Sequence, residues 1–129
     1  MIVVDTNVIA YLLLPGDRTK AAEALHRRDA EWAAPLLWRS EFRNVLATLI
    51  RLGRIELPIA QAILEQAERL LAPLEFAVDS ESVLALAASS GCSAYDCEFV
   101  ALADYLDVPL VSADRKLKAK FGKRVRPLS

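Results

Sequence analysis

Four acids in this chain stand at positions that could act together: Asp5, Glu41, Asp96 and Asp114. Asp5 closes the apolar run Met1-Ile2-Val3-Val4, and Asp114 lies just past a second one, Val108-Pro109-Leu110-Val111-Ser112. An acid directly after an apolar strand emerges at the strand's carboxyl end, where open α/β sheets take their ligands. Asp96 falls in the first turn of a helix opened by Ser93, and Glu41 sits one turn from Leu37 and Val45, on the flank of an otherwise apolar helical face. Carboxylates gathered at one sheet edge repel and raise one another's pKa values unless a cation neutralises them. Hard oxygen donors without His or Cys select Mg²⁺ or Mn²⁺, ions that keep several waters and meet substrate phosphates. Such a set suits phosphodiester hydrolysis, with the ion orienting water and stabilising charge on the leaving oxygen.

Each acid also has a structural reading. Asp5 and Asp114 suit helix N-caps. Asp96 fits a capping box with Ser93. Glu41 can carry its head group out to water along an apolar stem. Only the four together favour a site.

The elements that must position them follow from the pattern. A continuous apolar run at Ile2–Val4 reads as a strand covered on both faces. A short helix from Thr6 or Asn7 to Leu14 ends at Pro15-Gly16. Arg18 to Asp29 makes an amphipathic helix with Asp17 as its cap and His26 on its surface. Glu31 to Ala34 is a short strand, with Pro35 in the first turn of the helix that runs to Leu52, and Gly53 stops that helix. Pro58 to Leu71 completes an αα-hairpin against the sheet edge, with Ile59, Ala62, Ile63, Ala67, Leu70 and Leu71 on one side. A strand over Pro73–Val78, a helix from Asp79 or Ser80 to Gly91, and a helix from Ser93 to Leu106 follow. The run Val100-Ala101-Leu102-Ala103 is apolar nearly all round, so the last of these belongs at the centre. After the strand ending at Ser112, a basic helix Arg115–Phe121 leads to an edge strand at Arg124–Arg126. Strands alternating with helices argue for a parallel sheet covered on both faces.

Composition narrows the function. The 129 residues suggest one domain over 1–129, and 54 % apolar content supplies a core and leaves little room for disorder. The longest apolar run, Val8 to Leu14, falls far short of the ~20 residues a membrane helix needs, and the start lacks a basic leader, so a cytoplasmic location is expected. Cys92 and Cys97 make neither a disulfide framework nor a zinc site, and the single His26 excludes a histidine-based centre. The net charge of −1 hides an asymmetry. Asp114 to Ser129 carries seven Lys/Arg and one Asp, so +6, against −7 for the preceding residues. A basic tail on an acidic body favours a polyanion partner or self-complementary assembly.

Val4-Asp5-Thr6-Asn7-Val8-Ile9, Ser40-Glu41-Phe42-Arg43-Asn44-Val45-Leu46, Tyr95 to Ala103 and Val111 to Leu117 together resemble the four acidic motifs of PIN-domain proteins, in the family's order and across nearly the whole chain. The small single-domain form is most similar to the VapC-type toxins of bacterial and archaeal toxin–antitoxin pairs. The resemblance implies a three-layer α/β/α fold around a five-stranded, mostly parallel sheet. It also implies a Mg²⁺- or Mn²⁺-dependent ribonuclease, frequent homodimers and inhibition by a small antitoxin protein. By position, Asp5, Glu41, Asp96 and Asp114 would be the catalytic, metal-binding carboxylates, with Asn7 and Ser112 as supporting polar residues. Cys97 stands where the family often has a smaller residue, a departure that leaves the chemistry intact. RNA-binding roles for Arg39, Arg43, Arg115 and Lys116 rest only on their closeness to the acids in sequence.

Two other readings compete. A phosphotransfer or receiver domain wants a lysine at the end of a later strand, and here Lys116 already lies in the following helix; dehalogenase-like chemistry wants an acid where Asn7 stands. A catalytically inactive PIN-like scaffold that binds RNA or protein is the other, and the presence of all four acids argues against it.

Overall fold

The computed structural model describes all residues, 1–129. Its first strand, β1 (Ile2–Val4), is wholly buried. It leads into helices α1 (Thr6–Leu13) and α2 (Thr19–Arg28), strand β2 (Trp32–Pro35), and the hairpin of α3 (Leu37–Arg51) and α4 (Leu57–Leu71). Strand β3 (Glu75–Phe76), helices α5 (Ser80–Ser90) and α6 (Ala94–Leu106), strand β4 (Leu110–Val111), helix α7 (Arg115–Phe121) and strand β5 (Val125–Arg126) complete the chain. The sheet runs β3-β2-β1-β4-β5, with every pair parallel. The five-stranded parallel α/β sheet is therefore as expected.

Strand order explains where a site can form. From β1 the chain steps outward through β2 and β3, then returns to β4 on β1's other side. This reversal between β1 and β4 is a topological switch point, where the loops at the carboxyl ends diverge and leave a crevice. β1 is the middle strand, its Val3 opposite Ala33 on one side and Leu110 on the other, and the acids that follow β1 and β4 flank the crevice. Helix α6 packs against this centre with Phe99 to Ala103 all buried, as its all-round apolarity requires. No helix is long and apolar enough to cross a membrane.

Several local expectations change. Pro35 ends β2 instead of starting α3: it pairs with Phe76, and the Leu36 N–H bonds to the Phe76 carbonyl. It extends beyond β2's pairing with β1, where a missing donor costs no ladder bond. The strand expected over Pro73–Val78 keeps only Glu75 and Phe76, because Ala72–Leu74 winds into a 3₁₀ turn. Arg18, not Asp17, occupies the cap position of α2, and the Thr19 hydroxyl ties down the loop by donating to the Leu14 carbonyl and accepting from the Gly16 N–H. His26 is half-buried, edge-on to the Trp32 ring at 5.3 Å. Ile59 and Ala62, expected on the inner side of α4, face outward, and Ala60, Ala67 and Leu71 are the residues it buries.

Candidate active site

Asp5, Glu41, Asp96 and Asp114 line one cavity of about 270 Å³ at the switch point, with Thr6, Asn7 and Asn44 as polar neighbours and Val45, Phe99 and Leu117 as apolar walls. The structural and the site readings of these acids hold together. Asp5 caps α1, its Oδ1 accepting the Val8 N–H at 3.1 Å, while the Ser112 hydroxyl donates to Oδ2. Ser112 is buried, and its oxygen accepts the Asp114 N–H at 3.0 Å, so one side chain ties the ends of β1 and β4 together. Asp114 caps α7 through Oδ1, which accepts the Lys116 N–H at 2.8 Å. Ser93 caps α6 by accepting the Asp96 N–H at 3.0 Å, which sets Asp96 in the first turn. Glu41 reaches the cavity from α3 and accepts a hydrogen bond from the Thr6 hydroxyl at 2.7 Å.

The electrostatics record the crowding. Burial pushes the Asp5 carboxyl from 3.8 up to about 6, with smaller upward contributions from the charges of Asp114 and Glu41; the Ser112 and Val8 hydrogen bonds pull against it. Burial, then the Asp96 charge, raises Glu41, and Thr6 opposes the rise. Asp96 is raised by burial and by Asp114, offset by the Ser93 hydrogen bond and the charge of Lys116. Glu98 is raised by burial and by Glu41, although it lines a different, mainly apolar groove. A site that makes carboxylates costly to ionise is one that gains from a cation. No three acids close on a common point tightly enough to form a ready-made ligand cage. An all-oxygen set spread around a cavity of this size still fits an ion that takes one or two carboxylates and retains water.

The basic residues divide. Arg39 is committed elsewhere: its Nε and Nη2 bond both oxygens of Glu75 at 2.6 and 2.9 Å, and its Nη1 bonds Glu68. Its guanidinium also lies 5.7 Å from the Trp38 ring centroid, and Trp38 Nε1 donates to the same Glu75 oxygen at 2.7 Å. This cluster joins α3, α4 and β3, and Arg39 is not among the cavity's lining residues. Arg43, Arg115 and Lys116 are exposed, the last two at the start of α7 beside Asp114. Sequence reasoning overlooked Thr6 and Asn44. Asn44 carries a legible signal, three residues after Glu41 and so one turn along the same face. Thr6 carries none, because only the packing of α1 on α3 shows its hydroxyl facing Glu41.

A parallel five-stranded sheet with four acids around its switch point is the arrangement of a PIN domain, and the PIN domain family model matches residues 2–121. The chain belongs to that family. It is 31% identical over 129 residues to Ribonuclease VapC3 of Pyrobaculum aerophilum, covering 98% of both chains. Two solved structures share the fold. PAE2754 from Pyrobaculum aerophilum superposes with a TM-score of 0.78 at 23% identity, over 98% of this chain and 90% of that one. A toxin–antitoxin complex from Klebsiella pneumoniae gives 0.72 at 14% identity, over 100% and 98%.

Proposed function

We propose that this protein is a divalent-metal-dependent endoribonuclease and the toxin of a toxin–antitoxin pair. The observation that carries the reading is the meeting of four carboxylates, from α1's cap, α3, α6 and α7's cap, on one cavity at the sheet's switch point. The relative at 31% identity is named a ribonuclease, which supports RNA as substrate.

Asp5, Glu41, Asp96 and Asp114 would hold Mg²⁺ or Mn²⁺, directly or through water. The ion would supply an activated water and neutralise charge on the leaving oxygen. The protein's own groups prepare the place. Ser112 and the Val8 N–H hold Asp5 by both oxygens, and Thr6 fixes one oxygen of Glu41. Asn7 and Asn44 offer neutral donors where a phosphate meets the cavity rim. Val45, Phe99 and Leu117 form a dry wall that strengthens every charge interaction beside it. The chain is read as one domain over residues 1–129, working in the cytoplasm. An antitoxin partner is supported by the toxin–antitoxin complex of like fold, and a homodimer is part of the same reading.

The test is cleavage of labelled RNA by wild type and Asp96→Asn, with Mn²⁺, with Mg²⁺ and with EDTA. Metal-dependent cleavage by the wild type, lost in a variant with an unchanged circular dichroism spectrum, is the expected result. Metal-dependent cleavage that survives Asp96→Asn removes the assignment, and RNA binding without cleavage favours a scaffold.

A further inference from the structure

We infer that the outer face of α7 and the turn after it, carried by Lys116, Lys120 and Lys123, is the surface along which the RNA backbone reaches the acidic cavity; this rests on the nuclease reading above. An acidic cavity repels a polyanion, so affinity must come from cations around it, and phosphate contacts by Lys and Arg supply most such affinity. The chain concentrates them here, with seven Lys/Arg between Asp114 and Ser129 and no acid beyond Asp114 itself.

The structure sorts these cations by what already occupies them. Lys118 donates to the carbonyls of Gly122 and Val125 at 3.0 and 2.8 Å, closing the turn after α7. Arg124 is paired with Asp104 and lies against the Phe121 ring. On α3, Arg39 is neutralised by Glu75 and Glu68. Lys116, Lys120 and Lys123 are exposed, as are Arg115 and Arg126, and no ion pair holds any of the five.

The placement of the three lysines makes a path. Leu117 and Phe121, four residues apart, bury the inner face of α7. Lys116 and Lys120, also four apart, share another face one turn from each other, about 6 Å along the axis. Lys123 follows in the next turn. The near end opens on the site: Asp114 and Leu117 line the cavity, and the Lys116 charge acts on Asp96. Lys116 therefore lies beside the acids, while Lys120 and Lys123 lead away from them.

The experiment measures the salt dependence of binding. A fluorescent single-stranded RNA is titrated by anisotropy at several KCl concentrations and constant Mg²⁺, in an Asp96→Asn background that prevents cleavage. Lys120→Gln with Lys123→Gln is compared with Arg27→Gln with Arg28→Gln, which removes the same charge from the last turn of α2, at the amino end of the sheet. Loss of two phosphate contacts lowers the slope of log K against log salt by about 1.4 for a single strand. A drop of that size in the lysine pair with little change in the arginine pair is the expected result. An unchanged slope in the lysine pair, or equal drops in both, overturns the α7 path and leaves the nuclease reading standing. In that case the basic tail serves an acidic protein partner or a second copy. A wild type that neither binds nor cleaves RNA overturns both.

Discussion

Asp5→Asn should make the metal-free protein more stable at neutral pH while abolishing its activity. Asp5 is largely buried, and its carboxyl is pushed from 3.8 in the unfolded chain to about 6, first by desolvation and then by Asp114 and Glu41. A folded-state pKa above the unfolded value gives stability that is fully present below 3.8 and lost as pH rises through about 6. The separation of about two pH units corresponds to a penalty of about 3 kcal/mol at pH 8, an upper figure because the carboxyl keeps some contact with water. At pH 4.5 about a third of that penalty remains, because the folded carboxyl is then almost wholly protonated. Asparagine keeps the side-chain volume and is as good an N-cap as aspartate, so the α1 cap survives. In EDTA at pH 8 the variant should melt about 5–10 °C above wild type, and by much less at pH 4.5. Thermal unfolding followed by circular dichroism reads both values. Mn²⁺ should then raise the wild-type Tm and barely move the variant's. Mn²⁺ affinity of the wild type should weaken as pH falls below about 6, because the ion must then displace the Asp5 proton. A variant less stable than wild type by the same amount at both pH values would refute the reasoning, since it would make Asp5 a structural support and not a charge held at a cost.

Two further outcomes separate positioning groups from structural ones. Thr6→Val removes the hydroxyl that holds Glu41 and leaves its volume, so Mn²⁺ affinity by calorimetry and the cleavage rate should both fall about tenfold, the loss of one hydrogen bond to a charged group, with Thr6→Ser recovering most of it. Equal binding by all three proteins would reduce Thr6 to a packing residue. Glu75→Gln should instead cost about 2 kcal/mol of stability, since the Arg39 guanidinium that holds this carboxyl below its usual value loses one of its two charged partners, and RNA affinity should not change. A selective loss of RNA binding would return Arg39 to the substrate surface.

The elements themselves were legible because each is written locally. An apolar run ending in Asp5, the Ser93 cap before Asp96, and an apolar face interrupted by Glu41 need no distant contact to be read. The errors lie where a distant partner decided the outcome. Pro35 reads as a helix start until β3 pairs with it, and Pro73 and Leu74 read as strand until the 3₁₀ turn shortens it. Arg39, two residues before Glu41, looks like a substrate contact until Glu75, 36 residues away, is seen to hold it.

By itself, then, the sequence determined which residues could do chemistry, that they would sit at strand ends and helix starts, and that the sheet would be parallel. These follow from side-chain type and short-range periodicity. Only the tertiary structure decided that β1 and β4 lie side by side, so that Asp5 and Asp114, 109 positions apart, share one cavity and one serine. It also decided that Thr6 meets Glu41, and which cations stay free. Those outcomes depend on strand order and helix packing, which bring together groups that no local pattern relates.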